Sequence, residues 1–294
     1  MAAKHWQERF VSRIVHVFIT IGVVLILLLK DTELRRSVFE GRWFYVSSFL
    51  GLVFVGFIFY FVASFIDPGY LEIRNQNSIL VAYEKAEAEI ENDSQSDEDA
   101  EESCKILASP PFGSRLRRCG YCSLMQPLRA KHCEDCGKCV RRYDHHCPWL
   151  GTCVGERNHK FFWCFLLTQI IIIGWSLYII WFALVHEKSW YDWAMTNSLY
   201  IVALIILVLG GIVVFMLFCC HTYLMVTAQT TWEYMSRSRI SYLKTLSEDD
   251  NPFDQGLICN VYKFLCSCRV QKWEILYDRE IDGHKLTVHV MLNT

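Results

Sequence analysis

The sequence predicts an all-α polytopic membrane protein, in which four transmembrane helices carry a small cytosolic domain with two zinc ions between the second and third helix. Two observations predict this fold class. The 294-residue chain is 53% hydrophobic and 15% aromatic, which is more apolar than an ordinary soluble enzyme. The region between residues 119 and 153 is dense in cysteine and histidine at spacings typical of zinc ligands.

Four apolar segments account for the membrane prediction. All but the first reach the roughly 20 residues that a helix needs to cross a hydrocarbon core of about 30 Å. The first is shorter, so it requires tilt, local thinning or a thin bilayer of the secretory pathway. A cleaved signal peptide is its alternative, but no small-residue cleavage site follows Leu29, and we expect a retained helix. The predicted segments are 14–29, 44–66, 161–185 and 199–220.

The orientation prediction depends mainly on redox chemistry. Four crossings place both termini on one side of the membrane. Thiolate metal ligands survive best in a reducing compartment, so we expect residues 67–160 and both termini to be cytosolic. Cations before the first predicted segment and after the fourth agree with the positive-inside rule, namely Lys4, Arg9, Arg13, Arg237, Arg239 and Lys244. Four cations in the first connecting loop disagree with it, namely Lys30, Arg35, Arg36 and Arg42.

The cysteine-rich region has more ligand groups than two tetrahedral zinc ions need. Seven of them lie outside the string Asp144-His145-His146-Cys147, and one of its two histidines completes a set of eight. The other histidine and Cys147 then remain beside the Asp144 carboxylate. The spare thiol is our predicted nucleophile. The seven are Cys119, Cys122, His132, Cys133, Cys136, Cys139 and Cys153.

Spacing alone leaves other interpretations open. Cys147 could be an inert thiol or a metal ligand, and a protease-like cysteine–histidine site is another enzymatic alternative. The binding-class alternative is a membrane-anchored zinc adaptor or a ubiquitin-ligase-like module. A RING cross-brace of that kind needs a final Cys-x2-Cys pair, whereas only Cys153 follows the histidines. A zinc-stabilised scaffold without catalysis is the third possibility.

Several motifs together resemble one family. The region from Cys119 to Phe162, which ends in CVGERNHKFF, resembles the cysteine-rich domain of the DHHC protein S-acyltransferases, membrane enzymes that attach palmitate to cysteine. The resemblance extends to DPG at 67–69 after the second apolar segment and to TTWE at 230–233 after the fourth. It also covers NPFD at 251–254 through Asn260.

The resemblance implies a role for each residue of the site. Cys147 is the nucleophile, His145 its base and Asp144 the group that orients the base. Thr231 hydrogen-bonds Asp144, and Asn260 satisfies backbone groups at a helix end. The two zinc sets are Cys119, Cys122, His132 and Cys139 for one ion, and Cys133, Cys136, His146 and Cys153 for the other.

The expected reaction has two steps, with palmitoyl-CoA as acyl donor. Cys147 takes the acyl group as a thioester, and a cysteine of a target protein then displaces it. The fatty chain gains roughly 0.8 kcal/mol per buried CH₂, so we expect a pocket between the four helices, with Trp149 near the head of the chain. Basic residues near the site either meet the coenzyme phosphates or form a solvated surface, namely Arg129, Lys131, Arg141 and Arg142.

The remaining predictions concern organisation and partners. The expected divisions are 1–66, 67–160, 161–228 and a tail of 229–294, with the zinc domain at 116–160. An acidic run at 84–102 is too polar to bury a core, and we expect it to be disordered. Partners are the bilayer, acyl-CoA and cysteine-containing proteins, and a net charge of −2 gives no indication of nucleic acid. Golgi and endoplasmic reticulum are the expected membranes.

Overall fold

The computed structural model describes residues 2–72, 117–244, 246–247, 250–266, 273–274 and 276–277, so the predicted acidic run lies outside the described residues. The chain forms two compact units, which we call the membrane unit and the cysteine-rich unit. The membrane unit consists of Met1–Ile66, Cys147–Thr152 and Asn158–Tyr223. The cysteine-rich unit consists of Asp67–His146, Cys153–Arg157 and Leu224–Thr294.

Among the described residues, four helices are long and apolar enough to cross a membrane, as predicted. Two shorter helices, which were not predicted, lie in the connections between them. In the first loop, the Thr32 hydroxyl caps its helix by accepting a hydrogen bond from the Arg35 nitrogen. The helices are α1 (Ala2–Leu29), α2 (Glu33–Phe39), α3 (Trp43–Phe65), α4 (His159–Ala183), α5 (Trp190–Thr196) and α6 (Ser198–Val226).

The first membrane span is longer than predicted. Its apolar part is Phe10–Leu29, which is 20 residues, so it needs no thinning of the bilayer. The predicted segment begins only at Ile14, because the cation of Arg13 interrupts the apolar run. In the structure the Arg13 guanidinium lies 4.2 Å from the centre of the Phe65 ring and donates to the Ser64 carbonyl at 3.1 Å. The cation is therefore accommodated at the end of the span.

Close packing of α3 against α4 builds the core of the membrane unit. A methyl group at Gly56 would lie 3.0 Å from Ile172 Cδ1, so the absence of a side chain lets the two helices approach. A polar contact joins the same helices, since Trp175 Nε1 donates to the Tyr45 hydroxyl at 3.0 Å. Fully or nearly fully buried members of this core include Leu27, Phe49, Ile179, Ile180 and Ala203.

The triplet DPG at 67–69 comes directly after the end of α3. The Asp67 carboxylate accepts hydrogen bonds from the backbone nitrogens of Gly69 and Tyr70, at 2.9 and 2.8 Å. Gly69 has φ +110°, a backbone conformation that glycine adopts without steric cost. This side chain to backbone turn stops the helix and starts the cysteine-rich unit.

The cysteine-rich unit contains short strand pairs. Antiparallel β3 and β4 place His132 directly opposite Cys139. A methyl group at Gly155 would lie 2.6 Å from the Pro68 carbonyl and 2.7 Å from Val140, so only glycine fits this close crossing. The pairs are β1 (Arg117–Arg118) with β2 (Met125–Gln126), β3 (Lys131–Cys133) with β4 (Lys138–Val140), and β5 (His145–Cys147) with β6 (Thr152–Val154).

The described part of the tail adds two α-helices and a small core to the same unit. Helix α7 spans Thr231–Ser236, and α8 spans Leu257–Cys266. Asn260 on α8 donates to the carbonyl of Val226, the last residue of α6, at 2.7 Å. The role that the family resemblance implied for Asn260 is thus present in the geometry. The core consists of Leu128, Ile240, Leu243, Phe253, Trp273 and Tyr277.

Candidate active site

The first cysteine–histidine cluster is assembled by two turns and a strand pair. Cys119 and Cys122 flank the turn between β1 and β2, and the register of β3 with β4 supplies His132 and Cys139. His132 Nδ1 lies 3.7 Å from the sulfurs of both Cys122 and Cys139, and those sulfurs are 3.1 Å apart. Gln126 Nε2 lies 3.1 Å from the Cys139 sulfur and donates to it, which supports the ligand from outside the cluster.

The second cluster gathers Cys133, Cys136, His146 and Cys153. His146 Nδ1 lies 3.6 Å from the Cys133 sulfur, 3.4 Å from that of Cys136 and 3.7 Å from that of Cys153. The structure thus brings together the same two sets of four that the family resemblance implied. Spacing alone did not determine this division.

The donor geometry of both clusters fits zinc. A tetrahedral ion with Zn–S near 2.3 Å and Zn–N near 2.0–2.1 Å separates its ligand atoms by about 3.5–3.8 Å. In each cluster the four candidate atoms all lie within 4.8 Å of one another. The donors are soft sulfur and imidazole nitrogen, the usual ligands of structural zinc. Each cluster is therefore suited to one zinc ion.

Asp144 and His145 form a tight pair in the cysteine-rich unit. His145 Nδ1 lies 2.6 Å from Asp144 Oδ2, and the Asp144 side chain is fully buried while His145 is 25% exposed. An ionised carboxylate only accepts hydrogen bonds, so Nδ1 must carry the proton in this pair. The lone pair of a neutral His145 then lies on Nε2, which is the tautomer that a general base needs.

Thr231, at the start of α7, fixes the Asp144 carboxylate. Its backbone nitrogen donates to Oδ1 at 2.9 Å, and its hydroxyl donates to Oδ2 at 2.8 Å. The position of α7 is in turn fixed by a capping box between Thr230 and Glu233. The contact that the resemblance implied for Thr231 is present.

A buried ion pair beneath α7 was missed by the sequence analysis. Arg129 donates to both carboxylate oxygens of Glu233, at 2.7 and 2.5 Å, and both side chains are at most 3% exposed. Arg129 also donates to the Ala228 carbonyl at 2.8 Å and lies 4.0 Å from the centre of the Phe253 ring. The sequence pattern T-x-x-E at 230–233 is a capping-box signal that could have identified Glu233 as structural.

The other basic residues near the site also have contacts inside the chain. Arg141 donates to Glu156 at 2.9 Å, and the Lys131 ammonium lies 3.5 Å from the centre of the Trp232 ring. Burial, together with the nearby positive charge of Arg129, lowers the pKa of Arg142 to about 10. The prediction that these cations meet coenzyme phosphates stays a prediction.

Cys147 lies in the segment Cys147–Thr152 of the membrane unit, where it is 8% exposed. A turn closes this segment, since the Gly151 nitrogen donates to the Cys147 carbonyl at 2.9 Å. Tyr60 on α3 holds the same segment, because its hydroxyl donates to the Trp149 carbonyl at 2.9 Å. The Trp149 side chain is 40% exposed.

The fold and the site together define a polytopic membrane protein with two zinc-type clusters and an oriented aspartate–histidine pair next to a cysteine in sequence. The family is shown by comparison with known proteins. A family model described as DHHC palmitoyltransferase matches residues 113–238. The chain belongs to the DHHC palmitoyltransferase family, as 37% identity with a member over 90% of its length also shows. It is a protein S-acyltransferase for which palmitoyl-CoA is the acyl donor.

Similar proteins match almost the full length of the chain. Palmitoyltransferase ZDHHC12 of Homo sapiens is 37% identical, with 90% of this chain and 91% of that protein covered. Palmitoyltransferase ZDHHC12-A of Danio rerio is 36% identical, with coverages of 91% and 93%. Protein S-acyltransferase 10 of Arabidopsis thaliana is 31% identical, with coverages of 82% and 76%. This agreement favours the acyltransferase over the zinc-adaptor and ubiquitin-ligase-like alternatives.

Proposed function

We propose that Cys147 is the residue that carries the palmitoyl group, with His145 as its base and Asp144 as the group that orients the base. The observation that supports this most strongly is the arrangement around Asp144. Two hydrogen bonds from Thr231 and one from His145 converge on a fully buried carboxylate. Such an arrangement fixes one tautomer and one ring orientation of the imidazole.

The strand β5 explains how the tetrapeptide at 144–147 can serve both metal binding and catalysis. Successive side chains of a strand point to opposite faces, so His145 and Cys147 share one face and His146 takes the other. Residues two apart in a strand have Cα atoms about 6.6 Å apart, a separation that the side chains of histidine and cysteine bridge. His146 is thereby free to serve as a zinc ligand. We propose all eight clustered residues as zinc ligands that rigidify this strand.

The chemistry follows from these roles. His145 Nε2 removes the proton of Cys147, and the thiolate attacks the carbonyl carbon of palmitoyl-CoA. The new carbon–sulfur bond forms as the bond to coenzyme A breaks, and the coenzyme thiolate leaves with a proton. A target cysteine thiolate then attacks the same carbon and releases Cys147. Thioester exchange is nearly balanced, so positioning supplies most of the rate acceleration.

We also propose contacts with the donor. Trp149 lies two residues beyond Cys147 and is partly exposed, so it can pack on the head of the acyl chain. Of the predicted phosphate-binding cations, two have aromatic neighbours. The Lys131 ammonium lies 3.5 Å from the centre of the Trp232 ring, and the Arg142 guanidinium lies 5.5 Å from that of Trp273. The charges of Arg129 and Arg141 are paired with carboxylates, so these two contribute a weaker field.

The proposed orientation places the cysteine-rich unit and both termini in the cytosol, in Golgi or endoplasmic reticulum membranes. The reducing compartment that thiolate ligands need supports it. Two of the cations that disagreed with it are compensated locally, since Arg36 pairs with Asp31 at 3.0 Å and Arg42 pairs with Glu33 at 2.7 Å. Protease protection in sealed microsomes tests the orientation.

The decisive experiment uses a clickable palmitoyl donor. The wild-type protein should acquire a hydroxylamine-sensitive label and pass it to a cysteine acceptor, and Cys147→Ser should do neither. Cys164→Ser is the matched control, because Cys164 is a half-buried thiol of the same unit on α4. The assignment is wrong if Cys147→Ser still transfers the acyl group, or if Cys164→Ser abolishes the label.

A further inference from the structure

His16 is a polar residue buried inside the membrane unit. It lies on α1, within the span Phe10–Leu29, and is only 5% exposed. Its Nε2 atom is buried and has no hydrogen-bond partner among the described residues. An imidazole nitrogen buried without a partner costs about 1–3 kcal/mol. A polar group retained at such a cost within a membrane span indicates a functional contact.

Aromatic rings surround this imidazole. The centre of the Tyr60 ring lies 4.0 Å from that of His16, and the rings of Phe165, Phe57 and Trp149 lie at 5.5, 5.8 and 5.9 Å. These rings would pack equally well around phenylalanine. Packing therefore explains the shape of the residue at position 16, but it leaves the polar nitrogen unexplained.

The same aromatic group contacts the segment that carries Cys147. Tyr60 donates at 2.9 Å to the carbonyl of Trp149, which lies two residues beyond Cys147. The His16 ring packs on the Tyr60 ring with an angle of 32° between the two ring planes. His16 and Tyr60 thus both contact Trp149, in the segment of the membrane unit that also contains Cys147.

We propose that His16 Nε2–H donates a hydrogen bond to the carbonyl oxygen of the palmitoyl thioester on Cys147. This inference rests on the proposed role of Cys147 as the acyl carrier. A neutral imidazole has one N–H donor, and the thioester carbonyl supplies the acceptor that His16 needs. The bond orients the thioester and satisfies the buried nitrogen at the same time.

The hydrogen bond strengthens during transfer. When the acceptor thiolate attacks the thioester carbon, the carbonyl π electrons move to oxygen and a tetrahedral oxyanion forms. Collapse of this intermediate breaks the carbon–sulfur bond to Cys147, which leaves as thiolate. A donor already aimed at that oxygen in a site of low dielectric stabilises the developing charge, and loss of one such donor typically costs about 10²–10³-fold in rate.

The first measurement uses the wild-type protein in detergent or nanodiscs. Loading with palmitoyl-CoA labelled with ¹³C at the carbonyl allows the thioester stretch to be read by isotope-edited infrared spectroscopy. A hydrogen bond lowers this frequency, so the acyl-enzyme should absorb below a palmitoyl-cysteine peptide in the same detergent. Equal frequencies would overturn the inference. A wild-type protein without acyl group on Cys147 would instead refute the proposed function.

Variants of His16 test the donor directly. His16→Phe keeps the packing and removes the donor, so the stretch should rise and transfer to a cysteine peptide should slow by about 10²-fold. His16→Gln keeps an N–H donor, and it should restore the lower frequency and part of the rate. Ser37→Ala removes a buried hydroxyl on α2 of the same unit and should change neither reading. An unchanged stretch in His16→Phe, with Cys147 still acylated, would overturn this inference alone.

Discussion

Thr231 donates two hydrogen bonds to Asp144, from its backbone nitrogen at 2.9 Å and from its hydroxyl at 2.8 Å. The two residues are separated by 87 positions in sequence. The tail that follows the last membrane helix therefore sets the position of the carboxylate that orients His145. With the proposed roles of Asp144 and His145, this contact makes the tail part of the catalytic apparatus.

The Thr231 hydroxyl should accordingly be needed for acylation. Thr231→Ala keeps the backbone donor and removes the hydroxyl, which leaves Oδ2 of Asp144 with one fewer partner. A hydrogen bond to a charged group is worth about 1.5–3 kcal/mol, so acyl-enzyme formation should slow by about 10- to 100-fold. Thr231→Ser retains the hydroxyl and serves as the control. Equal rates in the two variants would refute the assigned role.

Removing the buried carboxylate of Glu233 should destabilise the fold more than breaking an exposed ion pair elsewhere. Glu233→Ala leaves the Arg129 guanidinium buried without its carboxylate, which should lower stability by about 3–5 kcal/mol. Thermal unfolding in detergent micelles measures the change. The comparison is Arg157→Gln, which breaks a half-exposed ion pair with Asp67 at 2.8 Å and should cost about 0–1 kcal/mol. Similar losses in both variants would contradict the buried-pair interpretation.

The membrane helices could be predicted from sequence because apolar length alone determines them. The largest errors of the prediction lie at ends where polar residues continue a helix. Span four extends from the predicted Cys220 to Val226 because His221 is buried against His159 on α4, with the two ring nitrogens 3.0 Å apart. A hydropathy count cannot detect a polar residue whose partner lies on another helix.

The ligand set could be counted from sequence, but its division into two clusters could not. The division depends on the register of β3 with β4, which places His132 opposite Cys139. Register follows from turn geometry and burial, which short polar strands encode weakly. The Arg129–Glu233 pair is separated by 104 positions, so local spacing says nothing about it.

Gly155 should tolerate no side chain. Gly155→Ala would place a methyl carbon 2.6 Å from the Pro68 carbonyl and 2.7 Å from Val140, so the backbone must shift. Overpacking of this kind costs about 1–3 kcal/mol, and it acts two residues from Cys153. We expect a lower unfolding temperature and faster loss of zinc to a chelator. Gly120→Ala has open space around it and should leave both quantities unchanged.

Zinc removal should unfold the cysteine-rich unit while the membrane helices persist. The strands of this unit are only two or three residues long, so packing alone cannot hold the clusters together. Structural zinc contributes about 10–16 kcal/mol in small peptide domains. A strong chelator should therefore abolish acylation and the near-ultraviolet circular dichroism of this unit, with helical content largely kept.

Cys136→Ser should lower the zinc content from two ions to one. Cys259→Ser, which removes a thiol outside both clusters, should keep two. Full activity after zinc is removed would show that the metal does not position the site.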